Sequence, residues 1–397
     1  MIPHSTFYGI NINAKIKVAR LLLLLLLGLA SLTACNRETP VITANIPPTM
    51  LQAVATQPGE TQVPPTSAPA MQETPASKAP AAPPAGMETP AESVIDAANA
   101  ASLQTTGQIS ESEAHQFTWL PDSQTLALAT ENEIILHPSD PAAETTQISA
   151  AVPSMLVSSP DQNLLAWADE QNSVRVWNVS EARELFTLSG NTAVVTGLAF
   201  SPQGDRLAAA TYDNKVNIWD LANGELIKTW ELAYWLSNLA YSPDGASLAG
   251  ADLPNFTVYL LDSTTGQEQR TLTWNEGASP ALYAAVFSPD WRRIAWVARG
   301  TVQLMDVASG ELGPTLSHED FVNTVAWSPD SSLLASSSAA TIDDNFSPVV
   351  VVWDGTSGET VNVLAQEEPV LGLAFSPDGS RLASLNSSGT LQLWAEQ

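Results

Sequence analysis

A Ser-Pro-Asp-Gly turn, or a near variant of it, returns seven times along this chain, each time between two short apolar stretches. The clearest copies are LAFSPQGDRLAAA from Leu198, LAYSPDGASLAGA from Leu239, VAWSPDSSLLASS from Val325 and LAFSPDGSRLASL from Leu373. Weaker ones begin at Thr118, Leu156 and Ala285. Their prolines, Pro121, Pro160, Pro202, Pro243, Pro289, Pro329 and Pro377, are spaced by 39, 42, 41, 46, 40 and 48 residues. A period of that size belongs to an array of stacked units, because a unit of about 40 residues cannot bury its own apolar surface and needs a neighbour to do it.

Each unit reads as four strands. Proline fixes one backbone angle of the turn, aspartate offers a carboxylate to nearby amides, and glycine accepts a left-handed backbone, so the motif closes a hairpin. A third strand follows, as in RVWNV from Arg175, KVNIWD from Lys215, VYLLD from Val258, VQLMD from Val302, VVVWD from Val350 and LQLW from Leu391. Polar turns such as Asn223-Gly224 and Ser309-Gly310 then lead to a fourth, as in ELIKTWEL after Gly224. Apolar residues occupy both alternate sets of strand positions, which predicts small sheets covered on both faces by neighbouring sheets stacked radially.

On these residues the repeats resemble the WD40 family, and the array resembles a seven-bladed β-propeller. Trp219-Asp220 and Trp353-Asp354 match the family's terminal dipeptide, while Trp177-Asn178, Leu261-Asp262 and Met305-Asp306 are degenerate forms and Trp394 ends the last repeat. Tyr212-Asp213-Asn214 matches the turn before the third strand, where the family aspartate supports a hydrogen-bond network. The histidine of that network is mostly missing: Asn191 follows Gly190 where it is expected, and only His318 stands near an equivalent place. The resemblance implies an all-β fold of four-stranded antiparallel blades over residues 103–397. The last repeat stops after its third strand, so a strand over Leu103 to Ser110 is expected to complete it, which also removes an exposed sheet edge.

The sequence before the array differs in kind. Lys15, Lys17 and Arg20 precede a leucine-rich stretch from Leu21 to Ala30, and Leu32-Thr33-Ala34 leads to Cys35, the chain's one cysteine. The arrangement resembles a bacterial lipoprotein signal. It implies removal of residues 1–34, lipidation of Cys35 and display on the outer side of a cell membrane. The lone cysteine excludes a disulfide within the chain. Residues 35–102 are rich in Pro, Ala and Thr, with Pro47-Pro48, Pro64-Pro65 and Pro83-Pro84, and read as a disordered, semi-rigid tether. The chain carries 42 acidic and 15 basic residues, a formal net charge of -27. That balance argues against nucleic acid as a partner.

Chemistry-bearing patterns are few. There is no phosphate loop and no dinucleotide fingerprint, and His115, His137 and His318 have no zinc-ligand spacing. No cofactor is expected. Asp122, Asp161, Asp244, Asp290, Asp330 and Asp378 recur inside the turns and read as structural, since catalytic carboxylates need distinct environments. Trp119, Trp167, Trp296 and Trp327 read as core. The candidate partner-binding residues are Asp343, Asp344, Asn345 and Phe346, in an insertion between the second and third strands of the sixth repeat, together with Tyr234, Trp235 and Trp274 near interblade connections. The resemblance implies a noncatalytic scaffold that binds a protein or peptide through one propeller face. A carbohydrate or cell-wall binding module, a propeller hydrolase or lactonase, and an envelope-protein assembly factor are the competing expectations.

Overall fold

The computed structural model describes residues 93–397 except 141–142, 161–162, 275–281, 343–344 and 397. The chain divides into units 1–82 and 83–397, and the described residues belong to the second. The tether through residue 92, the signal segment and Cys35 lie outside the described residues.

Seven four-stranded antiparallel sheets form the blades of a propeller. Blades 1 to 6 span 116–149, 154–188, 195–231, 237–273, 282–317 and 324–365. Blade 7 takes three strands from 370–396 and its fourth from Leu103–Ser110, which pairs antiparallel with the last strand from Leu103↔Glu396 to Ser110↔Thr390. The expected closure is therefore what the chain does. First strands of successive blades adjoin, and that of blade 7 adjoins that of blade 1, so they line the centre of a closed ring.

The double-sided apolar pattern has a direct structural counterpart. The buried residues fall into seven clusters, one in each space between consecutive blades. In the second strand of blade 3, Leu207 and Ala209 face blade 2, while Ala208 and Ala210 face blade 4. A strand whose side chains alternate between two cores has no solvent side, which is why polar alternation is missing from the sequence. Polar stitches accompany the apolar contacts. The Trp119 indole donates to the Ala374 carbonyl of blade 7 at 3.2 Å, and Trp327 donates to Val286 of blade 5 at the same distance.

The hairpin turns explain their own sequence. The residue at the glycine position has a left-handed backbone in six described copies: Gly204, Gly245 and Gly379, but also Ser123, Trp291 and Ser331. Glycine takes this conformation without strain. Two of the exceptions gain something else: Ser123 Oγ accepts the Asp378 amide of blade 7 at 2.9 Å, and Ser331 Oγ accepts the Asp290 amide of blade 5 at 3.1 Å.

Two features depart from expectation. The sixth-repeat insertion does not leave the sheet: its residues lengthen the second strand to Leu333–Ile342 and the third to Asn345–Asp354, paired up to Ile342↔Asn345. The packed structure also begins before residue 103. Ile95 is fully buried against blades 6 and 7. Its amide donates to Gly379 O at 2.8 Å, and the Asn99 and Asn362 side chains bond to Glu396 and to the Ala100 carbonyl. By sequence, Glu92 to Ala101 reads only as a short alanine-containing helix leading into the domain, and a single isoleucine within it gives no periodic signal of burial. Ile95→Ala should cost about 2 to 4 kcal/mol if the site does not collapse, read as a lowered urea midpoint of the full chain.

Candidate functional site

The two ends of the blades differ. Turns between second and third strands lie beside the interblade connections, shown by the backbone bonds Tyr212 N to Val194 O and His318 N to Gly300 O. They make the upper face. The Ser-Pro-Asp-Gly hairpins lie beside the turns between third and fourth strands, shown by Leu221 N to Asp205 O and Val307 N to Arg292 O. They make the lower face. Gly379 belongs to a lower-face hairpin, so residues 93–102 join the ring there.

The lower face is committed to its own structure. Asp244 Oδ1 accepts the Ser242 hydroxyl at 2.6 Å and the Ala246 amide at 3.0 Å, which holds its carboxyl below the ordinary value. Asp290, Asp330 and Asp378 repeat the pattern with Ser288, Ser328 and Ser376, and Asp122 caps the amides of Gln124 and Thr125. Asp161 lies outside the described residues. Asp220 and Asp354 accept amides in the turn after the third strand, from Ala222 and from Thr356 and Ser357.

The Trp-based networks vary from blade to blade. In blade 6, Trp353 Nε1 donates to Ser336 Oγ at 2.6 Å, and the His318 ring bridges two hydroxyls, with Nε2 2.9 Å from Ser336 Oγ and Nδ1 2.8 Å from Ser338 Oγ. The ring meets the Trp353 indole edge-on at 5.3 Å. In blade 7, Trp394 donates to Ser384 Oγ, which donates to Gln366. In blade 3, Trp219 donates to Ser189 O, and Asn191 links Asn172 O to Asn217. Asp213 there accepts Thr192 and Thr211 and pairs with Lys215 at 3.2 Å; the two hydroxyls, with lesser help from the lysine, hold it down at about 2. The Trp177 indole nitrogen of blade 2 is buried without a partner.

Burial drives the pKa of His318 down to about 4. Its folded pKa lies below the ordinary 6.5, so the folded state binds fewer protons, and the stability it confers is complete above pH 6.5 and lost as pH falls toward 4. The turn aspartates add a second loss only below about 3.8. The urea midpoint should therefore fall between pH 7 and 4.5, and His318→Asn should flatten that slope while lowering the midpoint at pH 7.

The upper face gathers most of the exposed apolar groups at the blade ends. Val194, Tyr212, Tyr283, Phe321 and Leu371 are all large, apolar and exposed, Tyr212 by 63%. Among the described residues, the other exposed large apolar ones are Val94 and outer-strand positions Leu226, Ile227, Leu312 and Val363. Tyr212 packs on half-buried Trp235 at 5.5 Å, and Tyr283 on Phe321 at 6.1 Å. The Arg299 guanidinium lies 4.5 Å above the Phe321 ring. A cavity of about 370 Å³ among the first strands of the blades is lined by Met155, Leu239, Leu253 and Tyr283 with Gln116, Thr196 and Asn238. Met155 and Asn238 hold left-handed angles of 54° and 50° there, within bulges of their inner strands.

The expected binding residues are placed unevenly. Trp235 joins the upper-face pair. Tyr234 stacks on Tyr259 at 3.6 Å and donates to Glu268 at 2.8 Å, and burial followed by that carboxylate pushes its phenol well above the ordinary value. Trp274 differs from its expectation: it is 7% exposed and packs on Trp296 within the core between blades 4 and 5. Trp119, Trp167, Trp296 and Trp327 are buried, as expected of core residues. Asp343 and Asp344 lie outside the described residues, and Asn345 and Phe346 pair by backbone with Ile342 and Thr341. Among the described residues no group of three or more His, Cys, Asp and Glu stands together as metal ligands.

Residues 156–236 match the WD40 domain of anaphase-promoting complex subunit 4, and residues 310–346 and 358–395 match the WD domain, G-beta repeat. The chain has a WD40-family, seven-bladed β-propeller fold. Periodic tryptophan protein 2 of Arabidopsis thaliana is 30% identical over 184 residues, 45% of this chain. The match spans 20% of that protein's length, so this chain covers only part of the relative.

Proposed function

We propose that this WD40-type propeller is a noncatalytic scaffold, held at the outer side of a bacterial membrane through lipidated Cys35, that binds a protein or peptide through its upper face. The observation that carries the reading is the concentration of exposed Tyr212, Tyr283, Phe321, Val194 and Leu371 on that face, around an open channel mouth. Apolar groups left in water and gathered on one side mark association surfaces, and aromatic side chains dominate the energetics of such surfaces. The lower face, by contrast, spends its carboxylates on its own turns and receives the chain from residue 93.

Full-length protein and a Tyr212→Ala/Tyr283→Ala/Phe321→Ala variant should be compared as baits for envelope and secreted proteins under gentle crosslinking. A protein retained by the parent and reduced at least tenfold with the variant, while Leu226→Ser on an outer strand retains it, is the expected result. The same recovery with both baits would refute the upper face as the site, and turnover by the purified protein in a hydrolase panel would refute the noncatalytic reading.

A further inference from the structure

The chain fills several of the gaps between neighbouring lower-face hairpins with its own side chains. Ser123 and Ser331 accept the amides of Asp378 and Asp290 across the gaps between blades 7 and 1 and between blades 5 and 6. Trp291 holds the same turn position in blade 5 and packs against the core shared with blade 4. Gly379 leaves room between blades 6 and 7, and Val94 takes it, its Cγ1 lying 3.2 Å from where a Cβ would stand.

The gap between blades 3 and 4 stays open among the described residues. Gly245 occupies the position of Ser123 and Ser331 and faces Gln203 of blade 3, and beside it lies a cavity of about 280 Å³. Asp205, Arg206, Tyr241 and Asp244 line that cavity. At the end of the first strand, where Tyr241 stands, other blades carry Phe200, Phe287 and Phe375, or Trp119 and Trp327 with their indoles bonded across to the preceding blade. Tyr241 instead brings a phenol whose oxygen is buried without a hydrogen-bond partner. Burial pushes this phenol up to about 12, so it is a neutral donor that lacks an acceptor. Trp177, Trp230, Trp274 and Trp296 also bury unpaired indole nitrogens, but none of them lines the cavity.

The other lining groups are half-committed. The Arg206 guanidinium, near enough to act on the phenol, has no bond of its own among the described residues. One oxygen of Asp205 accepts the Ser201 hydroxyl at 2.8 Å, and one of Asp244 accepts the Ser242 hydroxyl and the Ala246 amide. Their second oxygens remain available. A simple anion would meet two carboxylates here, and a simple cation would meet the guanidinium. A neutral ligand with adjacent hydroxyls suits both, because each hydroxyl donates one bond and accepts others.

We propose that this cavity binds a neutral polyol, one pyranose unit of a saccharide, whose hydroxyls accept from Tyr241 and Arg206 and donate to Asp205 and Asp244. Its volume lies near the lower end of small-ligand pockets, about 300 Å³, which suits one sugar ring rather than a longer chain. The site is separate from the upper face, so neither assignment depends on the other.

The test is saturation-transfer NMR and calorimetric titration of the full-length protein with methyl glycosides of glucose, galactose, mannose and N-acetylglucosamine, with acetate and glycine as anionic and zwitterionic controls. At least one glycoside should bind with a Kd of about 1 mM or tighter. Tyr241→Phe should weaken that binding about tenfold while keeping or raising the urea midpoint, since it removes a buried hydroxyl that has no partner. Gly245→Ser should abolish the binding by sealing the gap as Ser123 and Ser331 seal theirs. The fold should survive, because those serines hold φ of 55° and 65° at the same position. Absence of glycoside binding, or equal binding by both variants, would overturn the proposal, and preference for acetate or glycine would overturn the polyol assignment. A lowered midpoint for Tyr241→Phe without any glycoside binding would show a hydroxyl held by ordered water only, which also overturns it.

Discussion

Every blade of this protein is a sheet with two apolar faces, and neither can be satisfied without a neighbour. Leu207 and Ala209 need blade 2 as much as Ala208 and Ala210 need blade 4. A linear stack of such sheets would end with two bare faces. Closing the stack into a ring removes both, which makes the pairing of Leu103–Ser110 with the last strand the contact on which the architecture depends. That strand fastens the ring with chain ends nearly 300 residues apart, and Ile95 extends the fastening to the space between blades 6 and 7. The ring in turn fixes all the loops of one kind on one face. Function can then be written on those loops without disturbing the cores.

The repeat turns, the third strands and the closing strand are legible in the sequence because each is a local pattern with a steric cause. Proline, aspartate and glycine shape the turn, and period-two burial shapes the strand. Other features have no such local signature. Ile95 is buried by residues that follow it by more than 200 positions. Tyr283 and Phe321 meet at 6.1 Å but sit in different repeats, and each alone reads as an ordinary strand or loop residue. Tyr212 was visible only as part of a turn motif; its exposure follows from the turn's position on the upper face. Trp274 shows the converse, since an aromatic residue at the end of an outer strand can fold inward, and here it reaches Trp296.

The hydrogen-bond networks show how a shared scaffold tolerates divergence. Blade 6 keeps histidine, serine and tryptophan in one chain of bonds that ends on Ser338. Blade 7 replaces the histidine by Gln366, and blade 3 by Asn191. In blade 5, Trp296 occupies the strand position that Ser336 holds in blade 6, so packing stands in for a polar network. Each solution leaves the third strand anchored to its neighbours. The buried networks and the lower-face turns together hold the blades.

The most direct measurement of the central claim is site-specific photocrosslinking in the source cells, with a photoreactive phenylalanine placed in turn at Tyr212, Tyr283 and Phe321 on the upper face. Control positions are Gln203 on the lower face and Leu226 on an outer strand. The account predicts one common protein partner crosslinked from the three upper-face positions and from neither control. Crosslinks from Gln203 or Leu226 to that same protein, with none from the upper face, would contradict it.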